Sequence, residues 1–295
     1  MLTITPLPLM TAAPQVTRSR PGTRSGHYTR VFVIIGLMAL LYASTLADMA
    51  RDWWNVPAWS QGILLPPLAA YMAWVRRHYT LAYPPAPEER GLFLAAFAAL
   101  LFLLGRLASE FFLMRISFVI MSAALIWIFW GMPRLKTLLF PLLLLAAMVP
   151  TPALVYNSLA SPLQLFASDV ASTLAQMAGV SVYREGNIIQ LAGTSLGVAE
   201  ACSGLNSLSA LIVGSLLLGY MSCSRMAGRV LLFAISIPLA IAINVVRVTA
   251  TAIMADHNQV FALGFYHLFS GWLVFVAGFG ILWAVACLLH RCFGL

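Results

Sequence analysis

Long apolar runs separated by short polar links make up most of this 295-residue chain. A run of about 17–25 mostly apolar residues can cross the roughly 30 Å hydrocarbon core of a membrane as a helix. The pattern predicts about eight such helices, at approximately residues 31–47, 60–75, 91–107, 112–131, 137–149, 202–222, 230–254 and 267–289. We therefore predict an all-α polytopic membrane protein.

Two stretches lie outside these runs. Residues 1–30 are rich in Pro, Thr, Ser and Gly and contain four arginines, which predicts a disordered basic tail ahead of a single transmembrane domain over 31–295. Residues 156–178 carry apolar side chains at helical spacing, so we expect a small external helix lying at the membrane interface. Residues 179–191 alternate around a turn at 185–187, which predicts a small β-hairpin before the sixth span.

Composition agrees with a membrane protein and excludes several other classes. The chain is 61% hydrophobic and 9% charged, which leaves no room for a sizeable soluble domain. Its net charge of +8 does not indicate a nucleic-acid partner, because the basic residues are spread over short loops. The four cysteines form no CxxC pair, and neither a nucleotide-binding glycine loop nor an HExxH motif is present. We expect no cofactor and no metal.

The distribution of charge predicts the orientation of the chain. Most of the Lys and Arg residues lie in the tail and in the links at 76–90, 132–136, 223–229 and 290–295, which the positive-inside rule assigns to the cytoplasm. With eight spans, both termini are then cytoplasmic and residues 151–201 are external. The opposite side contains the remaining basic residues, namely Arg51, Arg106, Arg115, Arg184 and Arg247.

Three residues of the outer half are candidates for catalysis. Cys202 begins the sixth predicted span and His267 begins the eighth. Arg247 lies about seven residues, or roughly 10 Å, before the external end of the seventh. A thiol at a helix N-terminus beside a cation has a lowered pKa, and its thiolate is a nucleophile. A histidine can deliver a proton to a leaving amine, and a guanidinium can stabilise an oxyanion, so the set suits acyl transfer.

Each of these residues also has a simpler interpretation. Cys202 alone is typical of a small packing residue, and His267 could extend its ring to the interface. Arg247 is different, because a cation within a membrane costs a few kcal/mol and is functional or paired by default. Asn244, one turn before it, could form a hydrogen bond between helices. The convergence of all three candidates on one side is stronger evidence than any one of them.

The ordered motifs resemble those of the exosortase/archaeosortase family of membrane cysteine transpeptidases. The resemblance covers about residues 50–290. It rests on Ala201-Cys202-Ser203-Gly204 at a span start, Asn244-Val-Val-Arg247 in the next span and His267 at the start of the one after, together with Val149-Pro150, Pro152, Asn157, Gly186 and Ile188. The chain departs from many members at Gln61, where they have a histidine.

The resemblance implies a function and a location. Cys202 would be the nucleophile, Arg247 its electrostatic partner and His267 the acid/base. The enzyme would be a multi-pass protein of the bacterial inner membrane, surrounded by lipid, with its active site facing the periplasm. It would cleave exported proteins at a C-terminal sorting signal of the PEP-CTERM kind, which combines a short motif, a transmembrane helix and a basic end. The cleaved protein would pass to water, a polysaccharide or another acceptor, since the family is linked with exopolysaccharide production.

Two alternatives from other classes stay open. The chain could be a transporter or an exopolysaccharide-assembly protein in which Arg247 binds an anionic substrate; in that case Cys202→Ala would be harmless. It could also be a structural partner in a secretion complex, where all three residues would matter only through folding.

Overall fold

The computed structural model describes residues 24–197, 205–258 and 264–293. Side chains are described for 32–197, 208–258, 269 and 271–290. Most of the predicted basic tail, Cys202 and the imidazole of His267 therefore lie outside the description. The described residues divide into two compact units, one before Ala153 and the other from Ala153 onward.

The first unit is helical throughout its regular structure. Its elements are α1 (Arg24–Asn55), a 3₁₀ helix (Pro57–Ile63), α2 (Leu65–Val75), α3 (Arg77–Ala82), α4 (Gly91–Leu107), α5 (Phe111–Trp130) and α6 (Met132–Ala147). The predicted second span, 60–75, is not one continuous helix. A proline occupies the first turn of each of its two pieces, Pro57 in the 3₁₀ helix and Pro66 in α2, and proline lacks the N–H that a continuing helix needs.

Close helix contacts hold this unit together. A Cβ atom added at Gly91 of α4 would lie 2.7 Å from Ile128 of α5, and one added at Gly105 would lie 2.8 Å from Met114. The two helices therefore approach closely at positions where α4 has no side chain. The buried Tyr42 hydroxyl of α1 is hydrogen-bonded to Ser117 Oγ of α5 at 3.0 Å. Glycines at the helix contact and a buried, hydrogen-bonded hydroxyl therefore pack the core of this unit.

The second unit combines helices with a small sheet. It contains α7 (Ala153–Met177), β1 (Val182–Glu185), β2 (Ile188–Leu191), β3 (Ser195–Gly197), α8 (Leu205–Ser222), α9 (Met226–His257) and α10 (Gly264–Phe293). The strands form an antiparallel sheet in the order β1-β2-β3. Gly186, with φ 63°, occupies the turn between β1 and β2. The sequence predicted two strands here, and the third is only three residues long.

The helix α7 covers most of the helix predicted over 156–178 and packs lengthwise along α9, while its position at a membrane interface stays a prediction. Leu163 and Ala167 of α7 share a cleft with Ala240, Ile241 and Asn244 of α9. Further along both helices, α7 and α9 contribute to one buried cluster with the sheet. The members of this cluster are Ala171, Ala175, Val180, Ile189, Leu191, Leu196, Val248, Ala252 and Ala255. Small alanines on both helices permit this close, parallel contact.

Four helical segments in the described residues are long and apolar enough to cross a membrane: Phe32–Asn55, Phe111–Trp130, Met226–His257 and Gly271–His290. Gly91–Leu107 and Leu208–Ser222 are shorter apolar helices. Large apolar side chains such as Leu40 (76% exposed) and Phe93 (81% exposed) face outward, as in a protein whose solvent is lipid. A mostly helical integral membrane protein fits these features, while the count of eight spans stays a prediction.

Candidate functional site

Arg247 lies on α9 between two packed regions of the second unit. On its C-terminal side, Val248, Ala252 and Ala255 are buried under the sheet. On its N-terminal side, Ala240, Ile241 and Asn244 line the cleft shared with α7 and α8. The arginine itself is half-buried. Keeping a charged side chain in a helix as apolar as α9 costs free energy. Arg247 is therefore a candidate for a functional role.

The guanidinium of Arg247 rests against Gly271 of α10. A Cβ atom at residue 271 would lie 3.4 Å from Cζ and from Nη2 and 3.6 Å from Nη1. Gly271 comes four residues after His267, and residues four apart share one face of a helix. The structure therefore brings the Arg247 guanidinium to within about one helical turn of the backbone that carries His267.

Cys202 falls between β3, which ends at Gly197, and α8, which is described from Leu205. The described residues on both sides of this gap share a buried cluster and a cleft with residues of α9. Leu196 belongs to the buried cluster that includes Val248, and Leu208 lines the cleft that includes Asn244.

Asn244, for which the sequence suggests a hydrogen bond between helices, lies one turn before Arg247 on α9. The side chain is buried, at 6% exposure. Its Oδ1 atom has no hydrogen-bond partner within the described part of the chain. Burying an amide oxygen without a partner costs free energy, so this position needs an explanation beyond packing.

Two other cysteines lie within the described residues, and one of them has surroundings unlike those of a nucleophile. Cys223 is a buried free thiol, and Cys287 is a half-buried one. Burial raises the pKa of the Cys223 thiol, although the charge of Arg229 acts in the opposite direction. Arg229 instead donates to the backbone carbonyl of Cys223 from Nε at 3.1 Å and Nη2 at 3.0 Å. A raised pKa keeps this thiol protonated at neutral pH.

The first unit contains an ion pair that sequence reasoning treated only as loop charge. Arg115 of α5 is buried and pairs with Asp52 near the end of α1. Close by in sequence, Gly62 packs directly on the indole of Trp53, whose Nε1 donates to the carbonyl of Met148 at 3.0 Å. Arg115 lies near the start of the predicted fourth span, and a cation at that position was the sequence feature that could have revealed the ion pair. These contacts give the 60–62 segment, where the chain departs from the family pattern, a packed setting.

Comparison with known proteins gives one match. The model of the transmembrane exosortase family matches residues 53–284, most of the chain, and this range includes Cys202, Arg247 and His267. No curated protein sequence and no solved structure matches.

Proposed function

Because the chain belongs to the transmembrane exosortase family, we propose that it is a cysteine transpeptidase of the bacterial inner membrane that cleaves C-terminal sorting signals of exported proteins. The observation that carries the proposal is the contact between the Arg247 guanidinium and Gly271, one turn from His267. It supports a shared site for two of the three candidate residues. Leu196 shares a buried cluster with Val248, and Leu208 shares a cleft with Asn244; each leucine is six residues from Cys202 along the chain, which supports the presence of Cys202 in the same site.

The reaction proceeds through a thioester. The Cys202 thiolate attacks the carbonyl carbon of the scissile peptide bond, and the carbonyl oxygen becomes a tetrahedral oxyanion. Arg247 stabilises that charge, and its half-buried position in an apolar helix strengthens the interaction relative to water. The C–N bond then breaks, His267 protonates the departing amine, and the acyl group stays on Cys202.

An acceptor completes the cycle. Water yields a free carboxylate, and an amine or hydroxyl acceptor yields an amide or an ester. In each case His267 takes the proton that the acceptor loses, and the Cys202 sulfur leaves as the thiolate. The sheet and α7 cover the part of α9 that follows Arg247. This cover restricts water on the periplasmic side of the site, which favours transfer over hydrolysis.

The test is coexpression with a tagged secreted reporter that bears a candidate C-terminal sorting signal. Wild type should shorten the reporter, and Cys202→Ala should abolish the cut while the variant stays in the membrane. Cys287→Ala is the matched control, because that thiol lies far along α10 and should be dispensable. Mass spectrometry of the new C-terminus identifies the acceptor.

Normal processing by Cys202→Ala would overturn the proposal. The transporter or polysaccharide-assembly alternative predicts that result together with loss of function in Arg247→Ala. The family match does not favour that alternative.

A further inference from the structure

Basic side chains from two segments of the first unit lie close together. Arg76 and Arg77 occupy the break between α2 and α3, and Arg134 and Lys136 lie in the first two turns of α6. Both segments belong to links that the positive-inside rule assigns to the cytoplasm. Cations that converge from separate helices at one membrane surface form a candidate site for an anion.

Two threonine hydroxyls fix the distance between the segments. Thr80 Oγ1 lies 3.0 Å from Thr137 Oγ1. Thr80 Oγ1 also donates to the carbonyl of Arg76 at 3.1 Å, and Thr137 Oγ1 donates to the carbonyl of Arg134 at 2.8 Å. The Arg134 Nε donates in turn to the carbonyl of Tyr83, which directly follows α3, at 2.9 Å. The backbones of Arg76 and Arg134 are therefore about three hydrogen-bond lengths apart.

Arg134 is a largely buried cation at the centre of this cluster. The residue is only 9% exposed. Within the described residues, neither Arg134 nor its neighbour Lys136 forms an ion pair. Glu88 reaches the start of α6, but its two carboxylate oxygens accept hydrogen bonds from Trp127 Nε1 and from the Met132 N–H. A charge removed from water is stabilised by an opposite charge close by, so this end of the unit favours an anionic ligand.

Exposed aromatic and apolar side chains surround the cluster and indicate which anion it meets. The Arg77 guanidinium lies over the Trp74 indole, 4.1 Å from the ring centroid, and donates to the Trp74 carbonyl at 3.0 Å. Trp74 is 59% exposed, and Tyr71, on the preceding turn, is 53% exposed. Rings of this kind concentrate at the headgroup level of a bilayer. Leu81 of α3 is also exposed. A lipid headgroup, whose acyl chains can contact these side chains, fits the cluster better than a free anion.

We propose that Arg76, Arg77, Arg134 and Lys136 bind the phosphate of an anionic phospholipid such as phosphatidylglycerol. The guanidinium groups donate to the phosphate oxygens, and the exposed Lys136 ammonium adds a point charge. The acyl chains lie against the exposed side chains of α2 and α3. The lipid thereby joins α3 to the start of α6 at the membrane surface. This inference is independent of the proposed cleavage reaction.

Native mass spectrometry of the purified full-length protein tests the proposal. Protein in detergent is titrated with phosphatidylglycerol or with phosphatidylethanolamine of the same acyl chains, and the bound lipid is counted. We expect wild type to retain phosphatidylglycerol at the lower concentration. Equal retention of the two lipids would overturn the proposal. Displacement of phosphatidylglycerol by an equal concentration of inorganic phosphate would show that the ligand is a free anion, and would overturn the lipid assignment.

Variants locate the bound lipid on the protein. Arg77→Gln and Lys136→Gln each remove one charge from a side chain that is not buried. The affinity for phosphatidylglycerol should fall about fivefold in each and about 30-fold in the double variant.

Arg225→Gln is the matched control, because Arg225 is exposed and lies in the link at 223–229, which is assigned to the same side of the membrane. This variant should bind phosphatidylglycerol as wild type does. A loss in Arg225→Gln equal to that in Lys136→Gln would show that binding follows net charge alone. Unchanged affinity in the double variant, with an unchanged melting temperature, would refute the site.

Discussion

Replacing Gly271 by leucine would disturb the Arg247 guanidinium without removing its charge. Alanine at this position puts Cβ 3.4 Å from the nearest guanidinium atoms, an ordinary contact distance. Leucine adds Cγ about 1.5 Å beyond Cβ, and helical rotamers direct it toward the preceding turn, which carries His267. The new side chain either displaces the guanidinium or fills the space between it and the preceding turn of α10.

The size of the effect follows from the geometry. Moving a catalytic group by about 1 Å costs about 10²-fold in rate, which corresponds to about 2.7 kcal/mol of transition-state stabilisation. We therefore expect Gly271→Leu to process the reporter about 100 times more slowly than wild type. Gly271→Ala should stay within about threefold of wild type, because it introduces no overlap.

Pulse-chase labelling of the reporter, normalised to the amount of enzyme in the membrane, measures these rates. Gly280→Leu is the matched control, since Gly280 lies on the same helix and a Cβ there meets nothing within 4 Å. A wild-type rate for Gly271→Leu would refute the role assigned to the position of Arg247. An equal loss in Gly280→Leu would show that leucine damages α10 in general.

Two further predictions concern stability and are read from thermal unfolding in detergent. Gly131→Ala should lower the free energy of unfolding by about 1–3 kcal/mol from its backbone conformation alone, because Gly131 has φ 84° and ψ 166°. Gly36→Ala is the control and should not destabilise the protein, because a Cβ atom there meets nothing within 4 Å. Equal melting temperatures for the two variants would contradict this prediction. Hydrogen bonds from Trp127 Nε1 and the Met132 N–H hold the pKa of the Glu88 carboxyl below its ordinary value. Their stabilisation is present above that ordinary value and is lost as pH falls through the lower folded pKa, so Glu88→Gln should lose less stability than wild type on acidification. Identical losses would refute the assignment.

Apolar run length was the most informative feature of the sequence. It predicted an integral membrane protein, and the long apolar helices of the structure fit that class. The ordered motifs around Cys202, Arg247 and His267 predicted the family, and the match over residues 53–284 confirms it. The catalytic roles of the three residues stay predictions, since Cys202 and the His267 side chain lie outside the described residues.

Local breaks were harder to predict, because hydropathy alone does not show them. The apolar run over 60–75 contains Pro66 and Pro67, and the structure divides it into a 3₁₀ helix and the short α2. Strand β3 has three residues, too few for alternation to be recognised. The direction of α7 depends on its contacts with α9, which apolar spacing within α7 does not specify.

The sequence by itself determined that the protein belongs in a membrane, and which polar residues of its apolar runs cost free energy there. Both properties depend on the side chains along one segment. Only the tertiary structure decided which of those residues meet. Arg247 and Gly271 are 24 positions apart, and their contact arises from the packing of α9 on α10. The same holds for Asn244, which is buried where residues of α7 and α8 lie beside it. Distances between helices follow from how side chains of different segments interlock, and no periodicity within one segment encodes them.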